Sequence, residues 1–180
     1  MRTPFNRFGC KAFILSVLLA ATGRADPAVV EDADGHFAAT FPAAVSRSNQ
    51  IIDMDAGQVI LCRTYAAQGA EFFTVIYCDY PEGYVTSTGA AAIYKDMAKD
   101  AADKAKGTIR SQGDCKLGDV AGLEVLIDGP NRVSVERMRL YVVGDRLFQV
   151  TFTGRPNSEA GKDAQGFLDS FRLLPVPAPK

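Results

Sequence analysis

From residue 90 to 106 apolar side chains recur every third or fourth position, and on either side they recur every second. This change of period constrains the fold more than any other feature of the chain. Ile93, Tyr94, Met97, Ala98, Ala101, Ala102 and Ala105 make one stripe, and Lys95, Asp96, Lys99, Asp100, Asp103 and Lys104 fill the remainder, as in an amphipathic helix. Ser87 or Thr88 is placed to cap its first amides, and Gly107 to end it in a left-handed conformation. Segments of period two, rich in β-branched and aromatic residues, predict strands at 37–41, 45–52, 59–65, 72–80, 108–117, 120–128, 133–143 and 147–154. A closing helix is expected over 158–171, docked through Phe167, Leu168 and Phe171. Gly161 and Gly166 each cost such a helix about 1 kcal/mol relative to alanine. The order of these segments predicts an α+β fold, an antiparallel sheet of about seven or eight strands with the 90–106 helix across one face.

The hairpin at Gly144 sets a register question. Met138, Leu140 and Val142 form one apolar row, and Phe148, Val150 and Phe152 another. A turn made only of Gly144 and Asp145 would set each row against the polar partners of the other. An odd loop, Gly144-Asp145-Arg146, or a bulge is therefore expected. That register leaves Arg137, Arg139 and Tyr141 on the opposite face beside Gln149 and Thr151. Two arginines with a tyrosine can take a carboxylate or phosphate, so these three are the candidate anion or partner contact. A helix laid over the same face would make them salt-bridge and cover residues instead.

The first 25 residues read as an address. Arg2, Arg7 and Lys11 precede the apolar run from Ala12 to Ala21, and Gly23-Arg24-Ala25 places small residues where a signal peptidase cuts before Asp26. The run is about ten residues long, against the roughly 20 a bilayer requires, so no membrane span is expected in the mature form. Cys10 precedes the run, which argues against a lipidation site. The expected organisation is a signal peptide at 1–25, one domain at 26–174 and a proline-rich tail at 175–180, with the mature protein periplasmic or secreted. Removing the leader's four basic residues leaves 16 against 21 acids, a formal charge of −5. With no basic run, neither nucleic acid nor an anionic membrane surface is an expected partner.

Cys62, Cys78 and Cys115 remain after cleavage, so at least one thiol is unpaired within the chain. Cys62 and Cys78 fall on neighbouring strands and face each other if their loop centres on Ala70. A tighter loop at Gln68-Gly69-Ala70 would leave them diagonal and unsuited to a disulfide. The alternative is three small buried hydrophobes.

Several short motifs occur together. Gly35-x-Phe37-x-x-x-Phe41-Pro42, Tyr77-x-Asp79-Tyr80-Pro81 and Gly118-x-x-x-Gly122-x-Glu124 are followed by Arg139-x-Tyr141-x-x-Gly144-x-Arg146-Leu147-Phe148 and Phe167-Leu168-Asp169-Ser170-Phe171. In these the chain resembles small exported bacterial proteins of the PsbP-like superfamily. The resemblance implies an antiparallel sheet packed between helices, an α/β/α sandwich, and a non-enzymatic accessory, assembly or binding role.

Catalytic and metal-binding patterns are weak. His36 is the only histidine, which excludes any site needing two histidines from one chain. Asp32-Ala33-Asp34-Gly35 echoes a calcium loop but has Val30 and Phe41 where carboxylates are required. Gly161-Lys162 fails as a phosphate loop because Asp163 replaces the hydroxyl. Asp53 and Asp55 read as a solvated turn. No cofactor is expected. The sequence is thus read as an exported, soluble accessory or binding protein without catalytic activity, its protein or small-ligand partner unknown. The alternative is an exported enzyme with an unrecognised carboxylate or cysteine site.

Overall fold

The computed structural model describes residues 26–54 and 58–175. The expected signal peptide at 1–25, Asp55, and the tail beyond Pro175 lie outside the described residues. Among the described residues ten strands, all paired antiparallel, form two sheets. β1 (Ala28–Asp32), β2 (Phe37–Phe41) and β10 (Arg172–Leu173) make a small sheet in the order β1-β2-β10. β3 (Val45–Asp53), β4 (Val59–Gln68), β5 (Phe72–Asp79), β6 (Thr108–Leu117), β7 (Val120–Asp128), β8 (Val135–Val143) and β9 (Arg146–Gly154) make a seven-stranded sheet in the order β3-β4-β5-β9-β8-β7-β6. Three helices complete the described fold: α1 (Tyr84–Thr88), α2 (Ala90–Lys104) and α3 (Lys162–Ser170). No helix among the described residues is long and apolar enough to cross a membrane.

Each face of the large sheet carries a core over its central strands, and the edge strands β3 and β6 are largely exposed. On one face, Phe37 and Phe41 of the small sheet, Phe167 of α3 and Phe171 just after it pack against Phe73, Val75, Phe148, Val150 and Phe152. On the other, Ile93, Ala98 and Ala102 of α2 close over Val125, Ile127, Met138, Leu140 and Leu147. The alanine-rich stripe does what its small side chains allow, and Ala98 is fully buried.

Three local expectations need correction. The β8–β9 turn contains only Gly144 and Asp145, with Val143 opposite Arg146 and Tyr141 opposite Phe148. Gly144 adopts φ 60°, a conformation that costs glycine little and other residues more. The two apolar rows therefore lie on opposite faces. No bulge is needed, because each face has its own core to enter.

The helix expected over 90–106 is preceded by α1, and Gly89 at φ 84° separates the two, so Ser87 and Thr88 lie inside α1 rather than capping α2. At the other end Lys106, not Gly107, is the left-handed residue, at φ 49°. The closing segment also divides. Ser158–Ala160 is a 3-10 turn, and Gly161 is an extended residue at the start of α3, so only Gly166 weakens the helix from within. Phe171 lies one residue past α3 but is buried with Phe167 and Leu168, as docking requires.

Candidate functional site

The site starts in the turn between β1 and β2. Oδ1 of Asp32 accepts hydrogen bonds from the backbone N–H groups of Asp34 and Gly35, each at 2.9 Å, which folds the turn back on itself. A Cβ on Gly35 would collide with the rings of Tyr77 and Phe37, so only glycine lets the turn approach so closely. The turn aims Asp32 Oδ2 at two phenols. Tyr65 donates to it, and Tyr77 donates at 3.3 Å.

Strand pairing supplies the opposite wall. Arg47 on β3 is directly across from Tyr65 on β4, and Arg63 on β4 is across from Tyr77 on β5, so all four share one sheet face. The Arg47 guanidinium carbon lies 5.2 Å from the Tyr65 ring centroid, and that of Arg63 lies 5.5 Å from the Tyr77 centroid. Such cation–π contacts are attractive and draw each guanidinium toward its ring. Arg63 also donates to the Tyr77 hydroxyl. On the far side of that ring, Arg146 sits 4.6 Å from the centroid, pairs with Asp79, and donates to the Asp34 carbonyl at 2.8 Å. The result is a cleft of about 560 Å³ whose walls include Asp32, Asp34, Arg47, Arg63, Tyr65 and Tyr77.

Electrostatics divides the labour in this cleft. Burial pushes the Asp32 carboxyl upward, but the two phenols and two amides bonded to it outweigh burial and hold it below the usual carboxylate range. Burial raises both phenols, helped at Tyr65 by the adjacent carboxylate, so they remain neutral donors rather than bases. Asp32 is thus saturated by its own protein. Arg47 and Arg63 are not: among the described residues neither has a carboxylate at ion-pair distance, whereas Arg110, Arg132, Arg137, Arg139, Arg146 and Arg172 do.

Arg137, Arg139 and Tyr141 are brought together on one face of β8, in a different setting. Arg137 holds both oxygens of Glu124 at 3.0 and 3.1 Å and reaches Gln165 at 2.8 Å, while Arg139 bridges Glu124 at 2.7 Å and Asp169 at 2.9 Å. Burial raises the Glu124 carboxyl, but the two arginines win and hold it low. Tyr141 is 2% exposed and stacks on Phe171. These side chains tie α3 to the sheet, and the guanidinium donors are engaged within the protein.

No protein-family model and no curated protein matches the chain. Among solved structures, the chain is similar to the solution structure of cyanobacterial PsbP (CyanoP) from Synechocystis sp. PCC 6803, with a TM-score of 0.57 and 10% sequence identity. The match covers 88% of this chain and 98% of that one. The fold is PsbP-like. At such identity the likeness concerns the fold and assigns no role to any residue.

Within this PsbP-like sandwich the remaining chemically suggestive residues are dispersed. Cys62 and Cys78 lie opposite each other, with Gln68 across from Phe72 so that the loop centres on Ala70, and they form a disulfide. Cys115 is free and half-buried on β6, and burial pushes its thiol up, away from thiolate reactivity. His36 sits in the β1–β2 turn at φ 53°. Asp53 ends β3 and is exposed. Among the described residues no group of three or more His, Cys, Asp or Glu is placed to hold a metal ion.

Proposed function

We propose that this is an exported accessory protein that works by binding rather than by catalysis, and that its binding site is the cleft between the β1–β2 turn and strands β3 to β5. One observation carries the reading. Two arginines without carboxylate partners share a wall of the cleft, where two neutral phenols and a saturated carboxylate hold their surroundings rigid. Preorganised donors of that kind suit recognition. The basic, apolar and small-residue order of the first 25 residues supports export, and the Cys62–Cys78 disulfide suits an oxidising compartment. The PsbP-like fold supports an accessory role.

The test is capture from periplasmic extract of the source cells, with the wild-type protein beside the Arg47→Glu/Arg63→Glu variant. A partner retained by the first and lost by the second is expected. Identical capture by both proteins would remove the cleft from the function.

A further inference from the structure

We propose that Arg47 and Arg63 together form a receptor for a single oxyanionic group, and that a carboxylate is preferred to a phosphate; this rests on the cleft being the binding site. Their register places them diagonally on adjacent strands, with Arg47 opposite Tyr65 and Asn49 opposite Arg63. Diagonal neighbours on a sheet face have Cβ atoms roughly 7–8 Å apart, a gap that two long side chains can close around one ligand group. Each guanidinium carbon lies over a tyrosine ring, a contact that uses the cation's charge and not its N–H donors, which remain available to a ligand. Arg63 spends one donor on Tyr77, and Arg47 donates to no described residue.

An anion that binds the folded protein and not the unfolded chain shifts the folding equilibrium, so binding should stabilise the fold as well as fill the site. Selectivity comes from the opposite wall. Glu31 is paired with Arg172, and Asp32 is fully engaged, but Asp34 is exposed at the cleft and carries no side-chain ion pair. A second negative charge on the ligand would meet Asp34, and the planar fork of a carboxylate matches a guanidinium edge better than a tetrahedral dianion does.

Carbon-detected NMR of the arginine guanidinium groups in the purified protein tests this directly. Acetate and inorganic phosphate are titrated at constant ionic strength and about pH 8, where the first is a monoanion and the second a dianion. Saturable shifts at Arg47 and Arg63 are expected, with acetate binding more tightly than phosphate. Arg47→Gln/Arg63→Gln should weaken binding about tenfold or more, while Arg155→Gln, outside the cleft, should leave it unchanged.

Absence of saturable shifts, or equal binding by the double variant, would overturn the receptor. Tighter binding of phosphate would overturn the carboxylate preference. The two readings fail separately. Anion binding without partner capture removes only the proposed role of the cleft in capture, and partner capture without anion binding removes only the receptor.

Discussion

Asp32 shows how one side chain can organise several strands. Its four hydrogen-bond donors come from its own turn and from β4 and β5, so truncation leaves two amides and two phenols without their acceptor. Asp32→Ala should cost about 2 to 4 kcal/mol in urea denaturation at neutral pH. The folded-state pKa is depressed, so this contribution is present above the unfolded carboxylate pKa and is lost as pH falls through the folded value. The gap between wild type and variant should therefore narrow in acid.

Glu136 has the opposite sign. It lies between Ile127 and Thr153 on β8, and burial pushes its carboxyl to about 7, with Lys104 at the end of α2 only partly offsetting the rise. A raised acid is protonated in both states below the unfolded pKa, so stability is greatest there and declines as pH rises toward 7. Glu136→Gln should be about 1 to 3 kcal/mol more stable than wild type at pH near 8 and indistinguishable from it near pH 4. Thermal melts across that range would check it, and a stabilisation independent of pH would refute the assignment.

At the scale of elements, legibility followed sequence distance. Strands β4 to β9 announce themselves by local alternation, whereas the sequence leaves two loop centres open between Cys62 and Cys78 and the strand register selects the one at Ala70. β1 and β10 are not visible locally, because β1 buries only Val30 and so shows no alternation, and β10, two residues long, is defined only by its pairing with the distant β2. The cleft was missed for the same reason. Arg63 and Tyr65 alternate visibly on one strand, but Arg47, Tyr77 and Asp32 join them only through register and through a turn from the other sheet. Glu124 reaches Arg137 and Arg139 through the β7–β8 register, whereas Asp169 and Gln165 arrive only with the covering helix α3.

That helix makes an element-scale prediction. Phe171, 2% exposed, contacts Phe37, Tyr141 and Phe148, so Phe171→Ala should cost about 3 to 5 kcal/mol through lost burial and a residual cavity. An unchanged denaturation midpoint would mean that the segment does not dock.

For the molecule as a whole, the disulfide and the proposed leader lead to one joint expectation. The bond links residues 16 apart on strands that already pair, directly beside the Arg63–Tyr77 step of the cleft. Closing a loop of about that length restricts the unfolded chain by roughly 3 kcal/mol in the chain-entropy account, which a domain of marginal net stability would register as a clear fall in melting temperature on reduction. Its formation depends on where the chain folds. Protein recovered from the periplasm should begin near Asp26 by intact mass, and should titrate one free thiol, Cys115, only after denaturation has exposed that half-buried side chain fully. Chain retained in a reducing cytosol should keep Cys10 with the leader, titrate four thiols and melt lower. Reactive thiols at Cys62 and Cys78 in the exported protein would refute the bond and leave the β4–β5 register to its strand ladder and to the packing and hydrogen bonds of Tyr65 and Tyr77.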